Sequence, residues 1–258
     1  MAVSVPHYLV IRDLYRYGML PQGGSLLEIG EANWYGDIMP LSMIDDIQRF
    51  VTDPVRRDAL IARLKEIVET DPATFKFDIV KVYYELFFSP SEIQAIDFDG
   101  TPLAKPLDLN YPIDLGRQFD TVINHGTAEH VFNIAQVFQT IHEHTVPGGL
   151  MFHESPFTGW IDHGFYGMQP TLFFDLAEFN GYALPGLLIA NLVDQSAIQV
   201  RGREHLYELI RERQIPENSV LLTILRKNPE ESPFRVPFQG YYRESLPEAG
   251  MEAWRNLR

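Results

Sequence analysis

The chain contains no cysteine, and this absence removes several kinds of chemistry at once. Disulfide bonds, thiolate metal ligands and a thiol nucleophile are all excluded. Basic residues are also scarce, because 21 Lys and Arg stand against 35 Asp and Glu and give a formal net charge of -14. Nucleic acids and anionic membranes require a basic face, so we expect neither of them as a main partner.

Long apolar runs are absent too, since none approaches the roughly 18 residues of a membrane span. The N-terminal residues lack the basic segment, apolar stretch and small-residue cleavage site of a secretion signal. We therefore expect a soluble, cytoplasmic protein. The 258 residues, of which 45% are hydrophobic, suffice for one sizeable core and favour a single domain over residues 1–258.

Short apolar runs that end in acidic or polar residues recur along the chain. The first is the segment 25–30 (SLLEIG), later runs end at Asp97, Asp108 and Asn124, and a fifth run, 150–153, follows a Pro-Gly-Gly turn. Such runs predict parallel strands whose carboxyl ends share one edge of a sheet, where open α/β sheets bind their ligands. A carboxylate at this edge suits a ribose diol, because it can accept two hydroxyl hydrogen bonds.

This order of strands and polar ends resembles the class I S-adenosylmethionine-dependent methyltransferases over roughly residues 25–227. The resemblance is strongest over 119–152 (FDTVINHGTAEHVFNIAQVFQTIHEHTVPGGLMF), which is similar to the family's fourth strand, following helix, Pro-Gly-Gly turn and fifth strand. It implies a doubly wound, mostly parallel α/β sheet of about seven strands, a Rossmann-like methyltransferase fold. The family's final antiparallel strand is expected at 219–225.

Two segments depart from the simplest form of this fold. Asp97 follows Glu28 by 69 positions, whereas dinucleotide folds place their second acid after about 20. We expect a helical insertion over 37–90 that caps the site, with a helical elaboration packed away from the site as the alternative. The tail 228–258 is rich in proline and aromatic residues, so we expect it to pack on the domain or on a partner subunit.

The resemblance assigns most of the cofactor contacts. It implies that Glu28 and Gly30 lie near the methionine part of S-adenosylmethionine, that Asp97 binds the ribose hydroxyls, and that Asp108 meets the adenine. The full set of cofactor candidates is Glu28, Gly30, Glu31, Asp97, Phe98, Asp108, Leu109, Asn124, His125 and Glu129. A turn-capping role for Asp97, an Asx turn at Asp108 and local helix-start hydrogen bonds at Glu129 remain alternatives.

The residues around Gly30 also bear on the type of ligand. The bulky Trp34 and Tyr35 and the acidic Glu28 and Glu31 argue against a pyrophosphate, which needs small residues and exposed backbone N–H groups. A sulfonium ligand suits them better, since its positive charge favours carboxylates and aromatic faces. For Trp34 and Tyr35, core packing is the alternative.

The segment 153–169, after the fifth strand, is rich in polar groups and suits a pocket for a small polar molecule. The candidate acceptor-binding residues are Trp34, Tyr35, Glu154, Asp162, Tyr166 and Gln169. His130, His153 and His163 are the candidate catalytic bases, because imidazole titrates near neutrality, and a structural role for each is the alternative. No histidine pair has the His-x-x-x-His spacing of a zinc enzyme, so we expect no metal.

The sequence therefore predicts an enzyme that transfers a methyl group from S-adenosylmethionine to an oxygen or nitrogen of a small polar metabolite, as in biosynthesis. One alternative is an enzyme that uses the sulfonium differently, in cyclisation or aminocarboxypropyl chemistry. Another is a non-catalytic binding protein on the same scaffold. The expected partner is a small-molecule acceptor, and a homodimer is left open.

Overall fold

The computed structural model describes residues 2–243 and 246–256, and these divide into two compact units. Unit 1 ends at Leu107 and unit 2 begins at Asp108. Each unit combines strands with the helices that connect them.

Unit 1 has a small parallel sheet with helices in its connections. Strand β4 lies between β2 and β5 and is parallel to both, while β1 and β3 form a separate parallel pair. The register places Glu28 beside Ala95 and Ile29 beside Ile96, so the carboxyl ends of β2 and β4 lie at one edge. The strands are β1 (Ala2–Val3), β2 (Ser25–Ile29), β3 (Asn33–Trp34), β4 (Glu92–Ile96) and β5 (Ala104–Lys105), and the helices are α1 (Val5–Arg16), α2 (Met43–Phe50), α3 (Pro54–Thr70) and α4 (Phe75–Phe87).

The segment between β2 and β4 is helical, and local sequence explains where its helices begin. Asp53 caps α3 by accepting hydrogen bonds from the N–H groups of Val55 (2.9 Å) and Arg56 (3.4 Å), and Pro54 occupies the first turn. Helix α4 is apolar nearly all round, and Val80, Tyr83 and Phe87 are fully buried. The predicted role of 37–90 as a cap stays a prediction.

The third predicted strand is wrong in its position. The strand beside β4 is the two-residue β5, and the run that ends at Asp108 lies outside it. Pro106 has no backbone N–H to donate to a ladder, and the Leu107 N–H instead turns back to the carbonyl of Lys105 at 2.9 Å.

Unit 2 contains five neighbouring strands in the order β6-β7-β10-β8-β9. β6 and β7 are parallel, and β10 runs antiparallel between β7 and β8. β7 and β8 therefore point the same way, and β10 lies between them in the opposite direction, where the resemblance implies an antiparallel strand over 219–225. The strands are β6 (Phe119–His125), β7 (Thr145–Thr158), β8 (Ala183–Asn191), β9 (Ala197–Gln199) and β10 (Ser219–Arg226), and the helices are α5 (Ile134–Glu143), α6 (Pro170–Asn180), α7 (Arg203–Arg211) and α8 (Glu248–Asn256).

The predicted α/β class, with mostly parallel strands and helices in the connections, is confirmed. Strand β9, which pairs antiparallel with β8 at the margin of unit 2, was not among the expected strands. Helix α5 begins directly after Asn133, whose backbone N–H and side-chain amide donate to Asn110 at 2.9 and 3.0 Å.

The first part of the C-terminal tail is bonded to α6. The Arg235 N–H donates to the Asn180 side chain at 2.7 Å, and the Gly240 N–H donates to Asp175 at 3.2 Å. Residues 244, 245, 257 and 258 of the predicted tail lie outside the described residues. Every helix in the described part of the chain is too short or too polar to cross a membrane.

Candidate functional site

A buried carboxylate closes β2. Glu28 is fully buried, and it accepts hydrogen bonds from the Lys81 ammonium, from the Tyr84 hydroxyl at 2.9 Å and from the Ala32 N–H at 3.0 Å. Burial raises the pKa of Glu28, and the Lys81 charge opposes that rise. The side chain is held in place by three partners from its own unit.

The turn after Gly30 is tied to the end of β4. Gly30 has a φ of +79°, which a residue with a side chain rarely adopts. The following Glu31 N–H donates to Asp97 Oδ2 at 2.9 Å, and the other Asp97 oxygen accepts the Asp99 N–H at 3.0 Å. Asp97 therefore orders this turn, and each of its oxygens keeps a further lone pair for a ligand.

The Glu31 carboxylate also has internal partners. It is buried, and it accepts the Thr101 N–H at 2.6 Å and the Thr101 hydroxyl at 3.0 Å. The Lys81 ammonium lies 3.3 Å from its Oε1. One lysine, Lys81, therefore faces two buried carboxylates, those of Glu28 and Glu31.

Three aromatic residues predicted near this edge differ in exposure. Trp34 is buried, and its indole N–H donates to the Ile38 carbonyl at 2.8 Å. Tyr35 and Phe98 are 62% and 65% exposed, which leaves their ring faces available to a ligand. Exposure thus separates the two rings that can bind a molecule from the one that packs in the core.

In unit 2, Asn124 and His153 lie side by side on the parallel strands β6 and β7. The side-chain oxygen (Oδ1) of Asn124 accepts the N–H groups of Thr127 at 3.2 Å and Ala128 at 3.1 Å, which fixes the turn after β6. His153 packs against the rings of Phe138 and Phe173, and burial lowers its pKa to about 3. Such an imidazole stays neutral, and its low basicity argues against a role as the catalytic base.

Glu129, His130 and His163 come together beyond this turn. One candidate ligand atom from each residue lies within 4.8 Å of the other two, and the two imidazole rings meet edge to face with centroids 5.0 Å apart. Glu129 is buried, whereas both histidines are exposed. Burial raises the pKa of Glu129 to about 7, with a smaller contribution from the charge of Glu154. Burial and the neighbouring His163 lower the pKa of His130.

The loop 159–167 packs directly on this cluster. The Phe165 N–H donates to the Glu129 carbonyl at 2.8 Å, and a Cβ on Gly164 would lie only 2.9 Å from that carbonyl oxygen. The Tyr166 hydroxyl donates to the Phe132 carbonyl at 2.8 Å. Phe132 and Phe165 form an exposed edge-to-face pair, so the histidines are bordered by an apolar surface.

The remaining predicted residues have varied surroundings. Asp108 forms an Asx turn, accepting the Asn110 N–H at 2.9 Å, and Leu109 is buried. Glu154 lies beside His125, with Oε2 3.5 Å from Nδ1. Asp162 and Gln169 are exposed, and Asp162 has a left-handed φ of 61°.

Sequence reasoning missed Lys81, Tyr84 and Thr101. Lys81 lies within the apolar helix α4, where a lone buried cation was the available signal that an acid must face it. Tyr84 lies three residues further along the same helix and reaches the same acid. Thr101 had no signal, because its role depends on the fold of the loop after β4.

Replacing Lys81 with Met should destabilise the protein by about 3 to 5 kcal/mol, because it leaves buried carboxylates without their cation. Urea unfolding measures the change. Lys76→Met, at an exposed position of the same helix, is the matched control and should stay within about 0.5 kcal/mol of wild type. Adding Glu28→Gln to Lys81→Met should recover part of the loss, and equal effects of the two lysine variants would refute the interpretation.

Gly164→Ala should destabilise unit 2 by about 1 to 3 kcal/mol, because the new methyl group would overlap the Glu129 carbonyl. Gly167→Ala is the control in the same loop, since its Cβ would meet only the Phe157 carbonyl at 3.8 Å. Urea unfolding compares them. A Gly164→Ala variant as stable as Gly167→Ala would show that the loop does not pack on Glu129 in solution.

His153 should make the protein less stable in acid. Its pKa falls from 6.5 to about 3 on folding, so the unfolded chain binds the extra proton and stability declines as pH falls below 6.5. Between pH 7 and 5 the loss from this residue should be about 2 kcal/mol. Urea unfolding at both pH values should show it in wild type and in the control His205→Gln, but not in His153→Gln. An identical decline in all three proteins would contradict the assignment.

Comparisons with known proteins give structural likenesses only. No protein-family model matches the sequence, and no curated protein matches it. Similar solved structures include the N-methyltransferase NodS from Bradyrhizobium japonicum WM9, at 12% identity and a TM-score of 0.42 over 86% of this chain and 94% of that one. Another is an O-methyltransferase of a Brevibacillus brevis trans-AT PKS multienzyme, in complex with S-adenosyl-L-homocysteine. It is 11% identical, with a TM-score of 0.38 over 87% of this chain and 73% of that one. A putative hemolysin from Streptococcus thermophilus is 12% identical, with a TM-score of 0.42 over 97% of this chain and 74% of that one. TM-scores below 0.5 do not determine what this chain does.

Proposed function

We propose that the protein binds S-adenosylmethionine and transfers its methyl group to an oxygen or nitrogen of a small polar molecule. The observation that carries this proposal is the reversed strand β10 between the parallel pair β7 and β8. The resemblance found in the sequence implies this ending for a methyltransferase fold. Because one fold can serve several functions, the residues of the site also have to support the activity.

The unit 1 edge has groups that fit the cofactor. Asp97 has lone pairs left for ribose hydroxyls, and the exposed rings of Phe98 and Tyr35 offer faces to an adenine or a sulfonium. Glu28 and Glu31 are buried, and both oxygens of each carboxylate already accept hydrogen bonds within the unit, so we assign them to holding the turn at Gly30. When bound, S-adenosylmethionine supplies an electrophilic methyl group.

The unit 2 surface fits the acceptor. His130 and His163 are exposed, and a lowered pKa keeps His130 neutral and able to take a proton from a hydroxyl at neutral pH. The aromatic pair Phe132 and Phe165 provides an apolar wall beside the two imidazoles. We assign proton transfer to His130 or His163 and leave His153 in the core. A base matters most for a hydroxyl acceptor and least for an amine that is already neutral.

A non-catalytic binding protein is the second candidate. It is favoured by the internal partners of Glu28 and Glu31, which leave fewer carboxylates at the edge for a cofactor than the resemblance implies. Product analysis separates the candidates. Methyl transfer releases S-adenosylhomocysteine, attack on another carbon of the sulfonium releases methylthioadenosine, and a binding protein releases neither during incubation with candidate acceptors.

Calorimetric titration with S-adenosylmethionine and S-adenosylhomocysteine should show micromolar binding of both. Asp97→Asn should weaken it at least tenfold, about 1.4 kcal/mol, because the charged acceptor for the ribose hydroxyls is lost. Asp99→Asn is the matched control, since Asp99 is exposed two residues away. No binding of either ligand by folded wild-type protein would refute the cofactor assignment, and equal weakening in both variants would refute the role of Asp97.

A further inference from the structure

The cluster of Glu129, His130 and His163 brings two imidazoles and one carboxylate together on unit 2. We propose that it binds a divalent transition-metal ion of the zinc type. The site would use one oxygen of Glu129 and one ring nitrogen of each histidine. This inference replaces the expectation of no metal, and in metal-bound protein it also replaces the assignment of proton transfer to His130 or His163, whose ring nitrogens would bind the ion. It does not depend on methyl transfer.

Glu129 gives the strongest reason to expect a ligand here. The residue is only 1% exposed, and its Oε2 has no hydrogen-bond partner among the described residues. A buried carboxyl oxygen without a partner is costly, and buried charges in proteins are paired or bound to metals. A cation at the cluster would supply the missing partner for this oxygen.

The two histidines face the cluster from separate segments. His130 ends a turn of 3-10 helix after β6, and His163 lies in the loop after β7. The His-x-x-x-His spacing describes two ligands on one helix, so it does not apply to ligands from separate segments. The sequence pattern therefore could not reveal this site.

Neighbouring groups hold the His163 segment in place. The Trp160 and His163 rings are 4.7 Å apart, and the Trp160 indole N–H donates to the Ser219 carbonyl at 2.8 Å, which ties the loop to β10. On the other side, the Phe165 N–H is bonded to Glu129 at 2.8 Å. The loop thus brings His163 to Glu129 by a direct backbone link.

The donor set selects the class of ion. Two nitrogens and one carboxylate oxygen suit zinc, iron, cobalt or manganese, whereas magnesium and calcium prefer oxygen ligands alone. Ligand atoms around an ion with bonds of about 2.1 Å lie about 3 to 3.5 Å apart in a tetrahedral site. The candidate ligand atoms of Glu129, His130 and His163 now lie within 4.8 Å of one another, and rotation of the exposed imidazoles can bring them to these distances. Three protein ligands leave an open position, as in catalytic zinc sites.

The test is metal binding by the full chain without any S-adenosylmethionine, so its outcome is independent of the cofactor proposal. Chelator-treated protein is titrated with Zn²⁺ by calorimetry, and bound metal is counted by elemental analysis after gel filtration. We expect one equivalent with micromolar or tighter affinity. Replacement by Co²⁺ should give the strong visible absorption of low-coordinate cobalt bound by nitrogen ligands.

Three ligand variants and two controls locate the ion. Glu129→Gln, His130→Gln and His163→Gln should each weaken Zn²⁺ binding at least tenfold and reduce the cobalt absorption. Glu143→Gln and His205→Gln change the same residue types outside the cluster and should bind as wild type does. Circular dichroism confirms folding, and because His130 and His163 are exposed, their variants test the site even if Glu129→Gln fails to fold. Absence of binding by wild type, or binding that neither histidine variant weakens, would overturn the proposal.

Discussion

Unit 1 depends on one buried ammonium group that faces two buried carboxylates. Lys81 on α4 is bonded to Glu28 at the end of β2, and it lies 3.3 Å from Glu31 in the next turn. Such charges are stable in the interior only when each has close partners, so this contact fixes α4 against the strand end. Tyr84 and Thr101 complete the hydrogen bonds, and the turn at Gly30 is built on that fixed base.

Unit 2 is organised differently, around strand order. The antiparallel β10 lies between β7 and β8, and the turns after β6 and β7 carry the polar residues. Buried and exposed histidines separate cleanly here: His153 packs between phenyl rings, while His130 and His163 face solvent beside Glu129. The chemistry of this unit is therefore concentrated in two loops that a backbone hydrogen bond joins.

Much of the fold was predictable, since short apolar runs located β2, β4 and β6, and the resemblance implied an antiparallel strand where β10 lies. The predicted position of the third strand was wrong because Pro106, in the short apolar run before Asp108, has no backbone N–H to donate to a neighbouring strand. The site was less accessible to sequence reasoning. Lys81 and Glu28 are 53 positions apart, and His130 and His163 are 33 apart, so only the folded chain reveals these pairs.

The two roles of Asp97, in the turn and in the proposed cofactor site, link ligand binding to the local stability of that turn. The carboxylate that we propose for the ribose hydroxyls also accepts the Glu31 N–H at 2.9 Å. A ligand bound to Asp97 would order that carboxylate, and local opening of the turn would then have to break both interactions. The rate of hydrogen exchange at the Glu31 amide should therefore fall when a ligand binds to Asp97. This rate would report ligand binding without any turnover or known acceptor.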